Sequence, residues 1–544
     1  MQMHQLDARL RRMLQTLQGL RVRVARPVEN ITIAHRDSQD FVPFVNGSEW
    51  GTDRDHDWMD FKFTVVTPED YRGKVTVSIV TGREGMWEAT NPQFVVWVNG
   101  RIEQSFDTRH TSLTLENEAV PGKKYEIFLQ GYANVVPPNH GSHSDLPPRL
   151  GVYVNDVCED VVQLCYDLDV PYQALLLEPE GCRDRETGLY TISDALNLLD
   201  LRNPYSPEFH ASVAACRDYL NLHYYAPLAD IEPEAYADVI GHTHIDVAWL
   251  WDLYQTRHKA VRTFATMLKL MEQYPEFKFM SSQAQLYEFV KEDQPELFER
   301  IRQAVAEGRW EPEGGMWVEA DCNLSGGEAL VRQFLYGNEF FEKEFGRRSR
   351  ILWLPDVFGY SAALPQILKK SGIDYFFTSK LSWSEFNLSP YDTFQWKGID
   401  GSEVLTHFTP TRDFSGSNNY EKHEDLAYFT TYNAMITPTQ MKGAWQRFQQ
   451  KGVDNHFLVS YGFGDGGGGS TDWMIENARR MKHPVAGVPA VRQEFARDFF
   501  EKLEKRMEGN KRLPKWSGEL YLEYHRGTYT AMARNKKSNR KIEI

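Results

Sequence analysis

Three side chains that bind metals follow one apolar stretch of the sequence at intervals of two. His242, His244 and Asp246 end the segment ADVIGHTHID. In an extended strand, residues two apart point to the same face, so these side chains would converge at the carboxyl end of the strand. Imidazole nitrogens and a carboxylate suit zinc and neighbouring divalent metals. The spacing therefore indicates a metal site, although a hydrogen-bonded polar strand end has the same pattern and unrelated metallohydrolases share the His-x-His pair.

A second carboxylate, Asp356, follows the apolar stretch RILWLP and precedes a helix-like segment. A carboxylate at a strand end loses hydration, which costs free energy unless a cation lies beside it. A metal held by His244 and Asp246 would supply that positive charge. The simpler alternative for Asp356 is a helix N-cap, for which aspartate is a common choice.

A third aspartate, Asp465, stands between a predicted strand and the four glycines at 466 to 469. Glycines let a backbone approach a ligand closely, or they form a flexible loop. The Lys-Ser/Thr pair of a phosphate-binding loop does not follow them. Asp465 is therefore a candidate for the second carboxylate of a hydrolase. Four further polar residues can equally be caps, surface charges or ion pairs: Glu319, Asp321, Glu328 and Lys380.

The elements that must position these residues fall into regions of different periodicity. Apolar and polar residues first alternate, with an Asn-Gly pair at 99 and 100 that is typical of a β-hairpin. Helical spacing follows, and then short apolar strands alternate with amphipathic helices, which favours parallel strands with helical crossovers. We predict a multidomain protein with an N-terminal helix (1–21), a β-sandwich-like domain (22–155), a helical linker (156–232), a catalytic α/β domain that is barrel-like (233–512) and the start of a downstream domain (513–544).

The composition of the 544-residue chain limits its partners and its compartment. It has 76 acidic and 61 basic residues, a net charge of -15, which disfavours a nucleic-acid surface. Five cysteines without a CxxC pair fit neither a disulfide framework nor a zinc knuckle, so we expect reduced thiols and a cytoplasmic protein. No stretch approaches the ~20 apolar residues that span a bilayer, and the N-terminal segment lacks the apolar core of a secretory signal. We therefore predict no nucleic-acid or membrane partner.

Four segments, in order, resemble glycoside hydrolase family 38, the α-mannosidases, and specifically its bacterial and cytosolic branch. They are GHTHIDVAWLW, GGMWVEADCNLSGGEALVRQ, LPDVFGYSAALPQIL and GFGDGGGG. The resemblance implies that His244 and Asp246 bind one divalent metal, zinc or cobalt, and that Asp356 is the nucleophile and touches the same metal. His242 would then lie in a second shell behind the ligands. Asp465 is our candidate for the acid/base carboxylate.

The same resemblance implies a substrate and the residues that contact it. Trp249 matches an aromatic wall of the mannose subsite, Lys380 a basic substrate contact, and we place Asp321 with them. The implied activity is metal-dependent, retaining hydrolysis of terminal α-mannosides of oligosaccharides through a covalent glycosyl-enzyme. Such a protein could also form a homo-oligomer.

Two other functions stay open at this point. One is an amidohydrolase or phosphoesterase barrel, which uses His-x-His to activate water and would need His407 as a further ligand. The other is a non-catalytic carbohydrate-binding protein.

The sequence departs from the family at its end. Members carry a fourth metal ligand, a histidine in a motif resembling HDxxxGS, and this motif is absent from the 544 residues. The resemblance therefore implies a C-terminally truncated chain without the family's downstream helical and β domains. For such a chain we expect weakened metal binding and low or absent activity.

Overall fold

The chain is described by a computed structural model that covers residues 3–36, 38–51, 56–86, 91–134, 147–384, 386–387, 389–415 and 429–544. Its first element, helix α1 (Met3–Gly19), has four leucines at helical spacing. Leu6, Leu10, Leu14 and Leu17 are all buried in one apolar cluster with the helices that follow the first β-region. The predicted amphipathic N-terminal helix is therefore present.

Two antiparallel sheets follow α1. Their strands are β1 (Val22–Pro27), β2 (Thr32–His35), β3 (Val42–Pro43), β4 (His56–Val66), β5 (Lys74–Val80), β6 (Gln93–Val98), β7 (Arg101–Phe106), β8 (Ser112–Glu116), β9 (Lys124–Asn134) and β10 (Gly151–Val157). The strand orders are β1-β10-β5-β8 and β3-β2-β4-β9-β6-β7. One cluster of buried apolar side chains joins the two sheets, with Phe61, Phe94 and Leu129 from the larger and Val77 and Val152 from the smaller.

The turn between β6 and β7 has the conformation that its sequence predicts. Asn99 and Gly100 both have positive φ, +52° and +82°, as a two-residue type I′ turn requires. Strands β6 and β7 pair antiparallel on either side of the turn. The hairpin predicted from the Asn-Gly pair is therefore confirmed.

Helices connect the sheets to the α/β region. They are α2 (Glu159–Leu176), α3 (Arg183–Leu196), α4 (Pro207–Leu220), a π-helical turn (Asn221–Tyr225) and α5 (Ala226–Leu228). Their buried side chains, such as Leu164, Leu189 and Val213, belong to the same apolar cluster as the leucines of α1. The helical spacing in this part of the sequence thus marks the faces that pack together.

The α/β region alternates strands and helices. Its elements are β11 (Tyr236–Gly241), α6 (Leu253–Gln273), β12 (Phe279–Ser281), α7 (Ala284–Asp293), α8 (Pro295–Ala306), β13 (Trp310–Pro312), α9 (Gly327–Phe345), β14 (Ile351–Trp353), β15 (Gly359–Tyr360), α10 (Leu364–Lys370), β16 (Tyr375–Thr378), a 3₁₀ turn (Lys380–Trp383), β17 (Thr393–Lys397), β18 (Glu403–Phe408), α11 (Pro438–Arg447), β19 (His456–Tyr461), α12 (Asp472–Arg480), β20 (Ala490–Gln493), α13 (Ala496–Met507), β21 (Lys515–Ser517), β22 (Leu520–Tyr521), α14 (Gly527–Thr530) and α15 (Ala533–Glu543). Parallel pairs link β13-β12-β11-β19 in one sheet and β14-β16-β18 in another.

Hydrogen bonds also connect these two sheets at both of their edges. Beside β13, the carbonyl of Gly314 accepts from the backbone N–H of Trp353 at 3.4 Å. Between β18 and β19, the N–H of Leu458 donates to Nε2 of His407 at 3.1 Å, and Thr409 Oγ1 donates to the carbonyl of Leu458 at 3.1 Å. The polar residues of interest all follow strands of these two sheets, where parallel folds place their active sites.

The prediction of a multidomain chain with sheets, helices and a parallel-strand sheet is confirmed. All five cysteines lie within the described residues and are free, as their odd number and spacing predict. In the part of the chain that the structure covers, no helix combines the length and the apolar character needed to cross a membrane.

Candidate active site

The chain that leaves β11 runs directly beside the glycine-rich loop. Ile245 forms an isolated antiparallel bridge with Gly466, and the N–H of Asp246 donates to the carbonyl of Asp465 at 3.0 Å. The extended backbone after β11 turns His244 and Asp246 toward one side. The first and third sequence motifs therefore meet through backbone hydrogen bonds.

His244 lies at the centre of a group of carboxylates. Its Nδ1 is 2.7 Å from Glu319 Oε2, and its Nε2 is 3.4 Å from Asp246 Oδ1 and 3.8 Å from Asp356 Oδ2. Ser282 Oγ donates to the other oxygen of Glu319 at 2.8 Å and so fixes that carboxylate. Burial alone would lower the pKa of His244, but Glu319 and Asp246 raise it well above its usual value.

Asp356 follows β14 and is held by two donors. Lys380 forms an ion pair with its Oδ1, and the hydroxyl of Tyr432 donates to the same oxygen at 2.9 Å. Burial pushes the pKa of Asp356 up, but Lys380 and His244 bring it below its ordinary value. The Lys380 ammonium also lies 3.9 Å from the ring centre of Trp383, a favourable cation–π contact. Asp356 is therefore kept ionised.

The Tyr432 hydroxyl joins Asp356 to Asp465. Its oxygen is 2.6 Å from Asp465 Oδ1 as well as 2.9 Å from Asp356 Oδ1. The two carboxylate oxygens therefore lie no farther apart than these two distances together, about 5.5 Å. Burial and the charge of Asp356 raise the pKa of Asp465 to about 6.

One hydroxyl proton can serve only one of these two carboxylates at a time. With Tyr432 donating to ionised Asp356, the contact to Asp465 is satisfied when Asp465 carries a proton and donates it to the tyrosine oxygen. The pKa of Tyr432 is raised well above its usual value, first by burial and then by the two aspartates, so the phenol keeps its own proton. The geometry thus favours one ionised and one protonated carboxyl group.

The donor set fits a divalent metal. One ligand atom each from His244, Asp246 and Asp465 can be chosen so that all lie within 4.8 Å of one another, and Asp356 Oδ2 is 3.8 Å from His244 Nε2. His244 Nε2 is buried and has no hydrogen-bond partner among the described residues. Glu319 beside Nδ1 orients the imidazole, as carboxylates commonly do for metal-bound histidines. One nitrogen and several carboxylate oxygens suit zinc and its neighbours.

The glycines at 466–469 allow the backbone of their loop to pack closely against its neighbours. Gly467 has a φ of +76°, and a Cβ there would lie 2.5 Å from Thr263 Oγ1 on α6. Gly469 has a φ of +77°, and its Cβ would lie 2.8 Å from the side chain of Met267 on the same helix. These positions need glycine because the loop backbone lies against α6. The sequence suggested that these glycines either approach a ligand or form a flexible loop; at Gly467 and Gly469 the structure shows neither, because the backbone packs against protein.

The structure also places the other predicted residues. Trp249 is 48% exposed and its ring meets Trp251 edge-on at 5.8 Å; the indole N–H of Trp251 donates to the carbonyl of Asp246. Trp249 thus lies at the exposed end of the segment that carries His244 and Asp246. Asp321 Oδ1 accepts from the backbone N–H groups of Asn323 at 2.7 Å and Leu324 at 3.2 Å, which describes a local turn.

His242 and Glu328 are not brought into the cluster by the contacts of the structure. The ring of His242 packs against Trp353 at 5.1 Å, and its two nitrogens have no hydrogen-bond partner among the described residues. Glu319, and not His242, contacts Nδ1 of His244, the ring nitrogen that faces away from Asp246 and Asp356. Glu328 lies in the first turn of α9, is largely exposed and accepts from Arg332 Nε at 2.9 Å.

Sequence reasoning missed Tyr432 and the contact between Glu319 and His244. Tyr432 lies in the segment TTYNAMI, which has neither strand nor helix periodicity and carries no motif. Glu319 was a weak candidate because nothing in its spacing relates it to His244, which is far away in the sequence. A contact made only by folding has no local signal.

A parallel α/β region with polar residues gathered after its strands is an architecture in which enzymes place active sites. Residues 235–519 match the family described as "Glycosyl hydrolases family 38 N-terminal domain". Because this is more than half of the chain, the protein belongs to glycosyl hydrolase family 38, and the resemblance seen in the sequence is confirmed.

Three curated relatives are α-mannosidases. "Alpha-mannosidase G" of Dictyostelium discoideum is 33% identical over 549 residues, which covers 98% of this chain and 46% of the relative. "Alpha-mannosidase 2C1" of Homo sapiens is 41% identical over 356 residues, 65% of this chain and 31% of the relative. "Alpha-mannosidase" of Saccharomyces cerevisiae is 38% identical over 357 residues, 63% of this chain and 31% of the relative. The chain spans less than half the length of these relatives.

Proposed function

We propose that this chain carries the nucleophile, the acid/base residue and most metal ligands of a retaining α-mannosidase that removes terminal α-mannose from oligosaccharides. Membership of family 38 and the names of the relatives support this proposal. The observation that carries it is the Tyr432 hydroxyl, whose two contacts limit the distance between Asp356 Oδ1 and Asp465 Oδ1 to at most about 5.5 Å, which fits the close carboxyl pair of retaining glycosidases. Inverting enzymes need a wider gap, because a water molecule must fit between substrate and base.

In the first proposed step, Asp356 attacks the anomeric carbon. The Asp356 carboxylate oxygen forms a bond to that carbon while the bond to the leaving oxygen breaks, and Asp465 gives its proton to the leaving oxygen. In the second step, Asp465 accepts a proton from water, the water oxygen bonds to the anomeric carbon, and Asp356 departs as a carboxylate. Lys380 and Tyr432 stabilise that carboxylate at the start and at the end of the cycle.

We assign His244, Asp246 and Asp356 as holders of one divalent metal, zinc or cobalt. Asp465 also has a carboxylate oxygen within 4.8 Å of the donor atoms of His244 and Asp246, but we assign it the acid/base role and not a place in the metal shell. When bound, the cation supplies positive charge that attracts the hydroxyls of mannose and selects their arrangement. Glu319 holds the imidazole of His244 in place from behind. We propose Trp249, Lys380 and Asp321 as contacts of the substrate, and His242 as a residue that lies behind the metal ligands without binding the metal.

The contacts of His407 disfavour the amidohydrolase and phosphoesterase alternative. Its Nε2 accepts from the N–H of Leu458, and its Nδ1 donates to Thr393 Oγ1 at 2.8 Å. Burial lowers the pKa of His407 to about 3, so the ring is neutral and both nitrogens are used inside the protein. It is therefore not available as the further metal ligand that this alternative needs.

We also propose a barrel-like catalytic domain, a set of domain boundaries and a cytoplasmic location. The hydrogen bonds at both edges of the two parallel sheets support a closed barrel of β11, β12, β13, β14, β16, β18 and β19. The boundaries 1–21, 22–155, 156–232, 233–512 and 513–544 stay as predicted domain limits. The free cysteines support a cytoplasmic protein.

The direct test is the configuration of the first product. With nitrophenyl α-mannoside and excess zinc or cobalt, proton NMR should show α-mannose first, before mutarotation produces the β anomer. The matched nitrophenyl β-mannoside and α-glucoside should not react. First formation of β-mannose would contradict the double displacement, and turnover of the β-mannoside or the α-glucoside at the rate of the α-mannoside would contradict the proposed substrate.

Replacing Tyr432 with phenylalanine should move the acidic limb of the activity profile to higher pH. The hydroxyl donates to the carboxylate of Asp356 and so favours its ionised form, and without it the pKa of Asp356 rises. The ionised nucleophile then appears only at higher pH, and kcat/KM should fall by about tenfold or more, as for a lost hydrogen bond to a charged group. The measurement is kcat/KM for an aryl α-mannoside against pH.

Tyr375→Phe is the matched control for this experiment. Its hydroxyl also donates to a carboxylate, Glu504, at 2.7 Å, but Tyr375 is the first residue of β16, at the end opposite to Lys380. This variant should keep the wild-type profile. An acidic limb that moves equally in both variants would show that Tyr432 has no special relation to Asp356.

A further inference from the structure

The β-sandwich region reaches the glycine loop through the turn after β7. Asp107 and His110 lie in this turn, between β7 and β8, and are 2% and 7% exposed. Asp107 forms an ion pair with Arg262 of α6, Nη1 to Oδ2 at 2.7 Å, and Arg262 is completely buried. Charged groups are buried in this way only when each is paired and hydrogen-bonded.

His110 is held by acceptors on both sides of its ring. Its Nδ1 lies 3.1 Å from each oxygen of Asp107, and its Nε2 lies 2.9 Å from the carbonyl oxygen of Ser470. Because a carboxylate and a carbonyl can only accept, both ring nitrogens must donate, and His110 is an imidazolium ion. One carboxylate therefore lies between two cations.

Arg262 and His110 both donate hydrogen bonds to backbone carbonyls of the glycine loop, residues 466–470, which follows Asp465. Arg262 Nη2 donates to the carbonyl of Gly466, and His110 donates to that of Ser470 at the other end of the loop. Between these points the loop lies so close that a Cβ on Gly468 would be 3.3 Å from His110 Cε1 and 3.4 Å from Asp107 Oδ2. The charged triad thus fixes the two ends and the middle of the loop.

The loop determines where the Asp465 side chain lies. Asp465 has a φ of +57°, a conformation that non-glycine residues rarely adopt without support from their surroundings. It immediately precedes Gly466, whose carbonyl Arg262 holds. A shift of the loop would therefore change the position of the Asp465 carboxyl group relative to Tyr432 and Asp356.

We propose that Asp107 and His110 are positioning residues which, through Arg262, clamp the glycine loop and hold Asp465 in place for proton transfer. The effect on proton transfer rests on the proposed function; the clamp itself does not. The N-terminal β region would then be part of the catalytic apparatus, since two of its side chains control a loop of the α/β region.

The clamp can be tested without any activity measurement. In Asp107→Asn the charge that neutralises Arg262 and His110 is lost, while in the milder His110→Gln an amide can still donate to Ser470. Hydrogen–deuterium exchange of a peptide spanning 462–471 should become about tenfold faster in both variants, because local opening becomes easier. Ser105→Ala is the matched control: Ser105 of β7 is buried and its hydroxyl lies 2.7 Å from Thr266 Oγ1 on α6, away from the loop.

Leaving-group dependence then tests the consequence for Asp465. Cleavage of α-mannobiose needs a proton on the leaving oxygen, whereas dinitrophenyl α-mannoside has a leaving group that departs without one. In the two clamp variants kcat/KM for mannobiose should fall by about tenfold or more, and that for the dinitrophenyl substrate should stay within about twofold. Ser105→Ala should change neither value.

The outcomes separate the clamp from the acid/base assignment. Unchanged exchange of the 462–471 peptide in both variants would overturn the clamp. Faster exchange with the selective loss on mannobiose supports the whole proposal. Faster exchange with an equal loss on both substrates would support the clamp and count against Asp465 as the proton donor.

Discussion

Replacing Asp356 with alanine should lower kcat for an aryl α-mannoside by about 10⁴-fold, or about 5.4 kcal/mol of transition-state stabilisation. In the proposed mechanism Asp356 supplies the oxygen that bonds to the anomeric carbon, and alanine offers no atom for that bond. The Lys380 ammonium also loses its ion-pair partner, so a modest loss of thermal stability should accompany the change. Steady-state kinetics and a circular-dichroism melt measure the two effects separately.

Azide can show which of the two carboxylates is the nucleophile. In Asp356→Ala, azide should occupy the space of the carboxylate, restore part of the turnover and give β-mannosyl azide, because it attacks the intact substrate from the nucleophile's side. In Asp465→Ala, the mannosyl-enzyme still forms on Asp356, and azide should give the α product. An α-mannosyl azide from Asp356→Ala would mean that the two roles are assigned the wrong way round.

The matched control for Asp356 is Asp374. Asp374 also pairs with a lysine, Lys369, and accepts from Arg350 at 2.9 Å, but it precedes β16, at the opposite end of the same parallel strands. Asp374→Asn should keep wild-type kcat. Equal losses in both variants would point to damage of the fold, and a wild-type rate in Asp356→Ala would remove the basis of the assignment.

The sequence predicts the parts of the site that follow strands. The alternation of His244 and Asp246 and the apolar stretch before Asp356 depend on the period of two and on strand ends, which are local properties. Because parallel strands end at one edge, residues from separate strands could be expected to meet there. The structure agrees with this expectation, because His244 Nε2 lies close to carboxylate oxygens of both Asp246 and Asp356.

The rest of the site depends on contacts without local signals. Tyr432 comes from an irregular segment, and Asp107 and His110 come from a turn more than a hundred residues before α6. The glycine run indicated an unusual backbone, but it could not show whether a ligand or a helix lies against it. Such features arise from the docking of separate regions, and single-sequence patterns do not contain that information.

Four carboxyl groups lie close together in the site, so positive charge nearby is needed to stabilise their ionised forms. Asp246, Asp356 and Glu319 surround His244, and Asp465 lies within hydrogen-bond distance of Tyr432. Among the residues that the structure describes, Lys380 forms its ion pair with Asp356. Burial raises the pKa of Asp246, so keeping this carboxylate ionised needs a further positive charge nearby.

Replacing His244 with alanine should therefore weaken metal binding by at least about 100-fold, more than the loss of an outer contact to a ligand costs. The variant loses the only nitrogen donor among the three residues that we assign to the metal, His244, Asp246 and Asp356. Excess zinc should raise the melting temperature of the wild-type chain by mass action, and this rise should vanish in the variant. Competition with a fluorescent zinc chelator gives the affinities directly.

His456→Ala is the matched control for metal binding, because it alters a similar pair in a different place. His456 Nδ1 lies 2.8 Å from Asp238 Oδ2, but His456 begins β19, at the amino end of the strands, whereas His244 lies beyond their carboxyl ends. Its removal should leave both the affinity and the zinc-dependent rise in melting temperature unchanged. Glu319→Gln should give an intermediate loss, about 10-fold to 100-fold, because the imidazole keeps its donor atom and loses its orientation. If His244→Ala binds zinc as tightly as the wild type, the metal is held elsewhere, and the cluster of carboxylates needs another source of positive charge.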